Sequence, residues 1–124
     1  MMVNTSLFQY SPSQVPIFDG EHYDYWSNQM MTFFISQHLW EVVDEGYEEQ
    51  AQPASLTGAN QKQYKEIVKK NANALRYIQQ GVSKSIFPRI YGVNKEKAAW
   101  EILQLEFQGS EKVVSQVTNL VERL

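Results

Sequence analysis

The pattern that most restricts what this chain can become lies in residues 94–124, NKEKAAWEILQLEFQGSEKVVSQVTNLVERL. Asn94 carries a side-chain oxygen suited to the free amides of a helix start, and Gly109 suits the left-handed conformation that ends one. Between them Ala99, Trp100, Ile102, Leu103, Glu106 and Phe107 fall at spacings that draw one flank on a helix, with polar residues opposite. Ser110 then caps a second helix, on which Val113, Val117, Leu120 and Leu124 recur at intervals of four, three and four. Apolar stripes of helical period have to be buried against another layer of structure. The second stripe runs to the last residue without a stop signal. It is therefore expected either to continue in a longer protein or to be offered to a partner chain, which makes it the candidate self-association surface.

The rest of the sequence supplies helices for that layer. Residues 1–14 are polar and are expected to form a flexible segment ahead of one helical domain over residues 15–124, truncated at its C-terminal end. Val15, Ile17 and Phe18 make a short apolar plug before the turn residues Asp19 and Gly20. A helix from His22 to Gln37 carries Tyr23, Trp26, Met30, Phe33 and Phe34 along one side, and a short helix carrying Leu39, Trp40, Val42 and Val43 ends at Gly46. Residues 46–59 read as an exposed loop. A long helix from Asn60 to Gln80 places Tyr64, Ile67, Val68, Ala72, Leu75 and Ile78 on one face, with Asn71 at the edge of that face. After Gly81, Ser83 or Ser85 caps a brief helix with Ile86, Phe87 and Ile90, limited to one or two turns by Pro88. No stretch alternates as a strand does. The expected fold is all-α, a compact bundle of five or six helices, with Trp26, Met30, Phe33, Trp40, Leu75, Ile78, Trp100, Leu103 and Phe107 as core anchors.

Chemistry is harder to find. The chain has no cysteine, which removes disulfides, thiolate metal sites and a cysteine nucleophile. His22 and His38 stand sixteen residues apart with no second ligand at metal-binding spacing. Asp44, Glu45, Glu48 and Glu49 sit where a helix runs into a loop, where carboxylates are solvated surface. Trp26, Trp40 and Trp100 each lie on an amphipathic face and read as core rather than as a ligand pocket. Phosphate-loop, dinucleotide, metalloprotease and serine-hydrolase motifs are absent. The reading is a protein that is not an enzyme and takes no cofactor. A net charge of −3 disfavours nucleic acid as a main partner, although Lys62, Lys65, Lys69 and Lys70 form a weak RNA-contact candidate. No apolar run is long enough for a bilayer, and the N-terminal residues lack the order of a signal peptide. The expected location is cytoplasmic, with access to the nucleus open.

Several short features occur together in a recognisable order. VPIFDGEHYDYWSNQMMTFF resembles the opening of the Gag polyprotein of plant copia-type LTR retrotransposons, with Tyr23 and Trp26 at that family's spacing. LWEVVDEGY, ALRYIQQGVSKSIFPRI and KAAWEILQLEFQGSEKV are similar to its next three elements, in the same order, so that the resemblance covers residues 15–117. It implies the N-terminal lobe of an all-helical, capsid-like domain that builds the shell of virus-like particles through helix–helix contacts. The partner is then the chain itself, as a homodimer or a higher assembly. The alternative is a domesticated Gag-derived adaptor that binds a host protein or peptide in a groove between helices. The chain departs from a complete Gag in lacking the zinc knuckle, C-x2-C-x4-H-x4-C, so RNA packaging is assigned to missing downstream regions.

Overall fold

The computed structural model of the chain describes residues 15–108. Four α-helices carry the fold among these residues: α1 (Tyr23–Ser36), α2 (Trp40–Glu45), α3 (Gly58–Gln80) and α4 (Glu96–Leu103). Single 3₁₀ turns occupy Pro53–Ser55 and Phe87–Arg89, and a π-helical turn over Gln104–Gln108 prolongs α4. Among the described residues there is no strand, only an isolated parallel bridge between Phe18 and Val82. The all-α class expected from the periodicity is the one observed. Two further expected helices are not among the four. The one around Ile86 is a three-residue 3₁₀ turn beginning at Phe87, because Pro88 has no amide with which to prolong it. Neither Ser83 nor Ser85 caps it; their hydroxyls pair with each other at 2.9 Å. The helix expected from Ser110, the Gly109 stop and the segment 1–14 lie outside the described residues.

α1 is bounded by two histidines in left-handed conformation, His22 at φ 58° and His38 at φ 59°. Its C-terminus closes by two reverse hydrogen bonds, His38 N–H to the Ile35 carbonyl at 3.0 Å and Leu39 N–H to the Phe34 carbonyl at 2.8 Å. This is a Schellman closure with histidine where glycine is usual, and Leu39 and Phe34 are both buried beside it. Both histidines are exposed. They act as points where the chain changes direction.

The tertiary layer is aromatic. Trp100 of α4 meets Trp26 and Phe34 of α1 at centroid distances of 5.9 Å each, and Trp40 of α2 edge-on at 5.7 Å. Phe18 stacks on Trp26 at 4.9 Å and meets Phe107 edge-on at 4.8 Å, tying the N-terminal plug to the turn after α4. The Trp26 indole N–H donates to the Pro16 carbonyl at 3.1 Å, which satisfies the one polar atom of a buried ring. The plug is held by Phe18 N–H to the Gly81 carbonyl at 2.8 Å and Ser83 N–H to the Phe18 carbonyl at 2.9 Å. At Gly81 a Cβ would stand 3.2 Å from the Pro16 carbonyl oxygen and 3.3 Å from Val15, so glycine permits this close approach.

Three details of the expected helices change. On α3 the buried line is Asn71, Ala74 and Ile78, while Ala72 is exposed and Leu75 half-buried. Asn71 thus sits within the buried face, not at its edge. Its amide nitrogen donates to the Asn94 carbonyl at 3.0 Å, and its oxygen accepts from Glu96 N–H at 2.8 Å. The start of α4 is therefore capped by a side chain from α3. The residue before the helix is Lys95, which makes no side-chain cap, and Asn94 contributes its carbonyl rather than its side chain. Asn71→Ala is expected to cost about 3 kcal/mol, since it leaves a buried amide and a carbonyl unpaired. Asn73→Ala, one residue pair along on the exposed side, should change stability by less than about 0.5 kcal/mol. Urea unfolding of the two variants checks the contrast.

Candidate functional site

With the core closed by aromatic rings, the surfaces that remain are grooves and helix faces. Among the described residues five large apolar side chains are more than half exposed, at Ile17, Tyr25, Ile35, Tyr91 and Leu105. A concavity of about 420 Å³ lies between α1, α2 and α4. Met31, Trp40, Val43 and Trp100 contribute its apolar lining, and Asp24, Asp44 and Glu101 contribute carboxylates. Helical geometry explains the mixture. The inward faces of three short helices meet around Trp100, and each helix presents the acidic residue next to its inward face. Lys97 Nζ bonds Glu101 at 2.8 Å within α4. Asp24 and Asp44 form no ion pair among the described residues. An aromatic floor with carboxylates beside it can hold a cationic side chain through charge and through the ring face.

The four lysines grouped in the sequence separate in the structure. Lys62, Lys65 and Lys69 are exposed on α3, at offsets of three and seven residues that keep them on one face. Arg76, a further seven residues on, extends the same exposed line and had not been grouped with them. Lys70 is half-buried on another side of the helix, beside a second groove of about 340 Å³ with Ile35, His38 and Trp40. One residue of offset from Lys69 turns the side chain by about 100°, enough to remove it from the group.

The nine expected core anchors divide in two. Trp26, Met30, Ile78, Trp100 and Leu103 are buried, and Phe33, Trp40, Leu75 and Phe107 are half-buried and packed against that core. Phe18, Ile86 and Ile90 belong to the centre as well. Their signal in the sequence was weak because none lies on a long periodic helix. The candidate stripe Val113, Val117, Leu120 and Leu124 lies outside the described residues.

A second polar assembly joins the loop after α2 to α4. Lys95 Nζ donates to the Tyr47 carbonyl at 3.1 Å, lies 4.5 Å from the centre of the Tyr47 ring and 3.8 Å from a Glu49 oxygen. Burial, then the neighbouring Tyr64 and Glu49, push the Tyr47 hydroxyl above its ordinary value. Gly46 lets this loop approach α4: at φ 70° its missing Cβ would stand 2.7 Å from Lys97 Cδ. Among the described residues no group of three or more histidine, aspartate or glutamate side chains is placed to hold a metal ion. At the other end, Arg89 is paired with Glu106, which ties the 3₁₀ turn to the π-helical turn.

Sequence reading did not anticipate Glu96. The side chain is fully buried in the first turn of α4, and neither carboxylate oxygen has a hydrogen-bond partner. Burial raises it well above the ordinary value of 4.5, because desolvation disfavours the carboxylate. With no surface open to solvent it serves the packing of α4. No family model, curated protein or solved structure matches the chain.

Proposed function

We propose that this chain is a non-catalytic assembly domain: a capsid-like lobe of five or six helices whose task is to repeat contacts with copies of itself, as in the Gag shell of a copia-type retrotransposon. The observation that carries the reading is the contrast between a ring-packed interior and a surface that leaves Ile17, Tyr25, Ile35, Tyr91 and Leu105 exposed. A closed core keeps surface patches in fixed relative positions, which a repeating lattice requires. Exposed apolar side chains supply the contacts that association buries. In this reading the domain acts in the cytoplasm, with access to the nucleus open, takes no cofactor, and leaves RNA to regions downstream.

Sedimentation equilibrium over a wide concentration range tests it. The expected result is an average mass that rises with concentration above that of the 14.4 kDa chain. A constant monomer mass up to the solubility limit overturns it.

The groove between α1, α2 and α4 supports a second reading, an adaptor that binds a segment of a host protein. A monomeric chain that binds a short amphipathic peptide, with the peptide lost on Trp40→Ala, would favour this reading over assembly.

A further inference from the structure

We propose that the acidic groove between α1, α2 and α4 receives the basic face of α3 from a second copy of this chain. The proposal rests on the assembly reading and names the surfaces that reading would use.

Two complementary surfaces stand on the same molecule. The groove presents Asp24 and Asp44 without ion-pair partners among the described residues, and Glu101 shared with Lys97. α3 presents Lys62, Lys65, Lys69 and Arg76, all exposed and likewise without ion-pair partners among the described residues. From Lys62 to Arg76 the stripe runs roughly 21 Å at the helical rise. α3 contributes no residue to the lining of the groove, so the two surfaces are distinct patches of one chain. One copy can then use its groove and its stripe at once, toward different neighbours. Such a head-to-tail contact closes into a ring or continues as a filament or sheet, according to the rotation at each step.

The chemistry of the groove suits lysine and arginine. Their aliphatic stems lie along an apolar floor while the charged heads reach the carboxylates, and Met31 and Trp40 supply that floor. Trp40 adds a ring face for a cation. The same observations weigh against RNA as the occupant of the stripe. Glu66 stands exposed in the middle of the lysine run, where its carboxylate would repel a phosphate backbone. A surface made of like charges interrupted by an opposite one fits a protein partner of matching pattern better than a uniform phosphate backbone.

A charge-exchange experiment on the full chain decides the matter. One variant reverses the groove, Asp24→Lys with Asp44→Lys, and the other reverses the stripe, Lys65→Glu with Lys69→Glu. All four side chains are exposed, and circular dichroism confirms that each variant keeps the helical fold. In sedimentation velocity at low salt the wild-type chain is expected to associate, and to dissociate as salt is added. Each variant alone should associate about tenfold more weakly or not at all, and an equimolar mixture of the two should associate as the wild type does. Wild-type association that survives both reversals, or variants that stay monomeric when mixed, overturns the proposal and leaves the assembly reading in place. A wild type that is monomeric at every salt concentration overturns both. A single-stranded RNA oligonucleotide that binds the monomer and is lost only from the stripe variant overturns the proposal and assigns α3 to nucleic acid.

Discussion

Replacing Trp100 by alanine is expected to lower stability by about 3–5 kcal/mol, the largest effect of any single truncation in this domain. The ring is 9% exposed and touches aromatic side chains from two other helices, Trp26 and Phe34 on α1 and Trp40 on α2. α4 has only eight residues, too few to persist through its own hydrogen bonds. Its place depends on what its side chains bury, and Trp100 is the largest of them. A domain of this size has a total stability of about 5–15 kcal/mol, so the variant should be near the unfolding threshold at room temperature. Leu105→Ala is the matched control. Leu105 is 79% exposed, and its truncation should change stability by less than about 0.5 kcal/mol. Urea denaturation followed by circular dichroism measures both, and a loss below about 1 kcal/mol at Trp100 would contradict its place at the junction of the helices.

The second large effect concerns Glu96 and pH. Burial raises this carboxyl well above 4.5, and no charged neighbour contributes to the shift. The positive end of α4 favours the carboxylate, but desolvation in a site with no hydrogen-bond partner outweighs it. The sign follows from linkage. Below pH 4.5 the acid is protonated in both the folded and the unfolded chain, and its contribution to the fold is fully present. As pH rises past 4.5 the unfolded chain releases the proton and the folded chain keeps it, so stability falls by about 1.4 kcal/mol per pH unit until the folded group itself ionises. Glu96→Gln keeps the shape and cannot ionise. Compared with the wild type, the variant is expected to gain relative stability as pH rises above 4.5, until the folded carboxyl itself ionises, while the two converge on the acid side. Paired urea titrations across this range measure the difference, in which the other carboxylates cancel. Parallel curves for the two proteins would show that Glu96 is not buried as an acid.

Much of this fold was legible in the sequence because it is written within single segments. The spacing of Tyr23, Trp26, Met30 and Phe34 marks one side of α1 whatever the helix packs on, and all four are buried. Gly46 and Gly81 mark the ends of α2 and α3 in the sequence, although the close approaches they permit, to Lys97 and to Val15 and Pro16, are tertiary. Apolar periodicity misled at Asn71. A line through Ala72 and Leu75 avoids a polar residue, but the true buried line crosses Asn71, because the backbone of Asn94 and Glu96 supplies the partners that make its burial tolerable. Glu96 was illegible for the opposite reason. A glutamate in the first turn of a helix is ordinary in solvent, and nothing local distinguishes one enclosed by neighbouring helices.

The candidate surfaces follow the same division. Each carboxylate of the groove and each cation of α3 could be placed on a helix from its spacing. That Asp24, Asp44 and Glu101 line one groove, and that Lys70 is half-buried beside another, depends on how the helices meet. The sequence by itself determined the helical class and which side of α1 turns inward, since periodicity and turn residues act within a few positions of one another. The tertiary structure alone decided that α3 caps α4, that Glu96 is enclosed, and that acidic and basic patches stand on separate faces. Those outcomes rest on contacts between residues distant in the chain, where the energy of a side chain is set by its partner rather than by its neighbours in sequence.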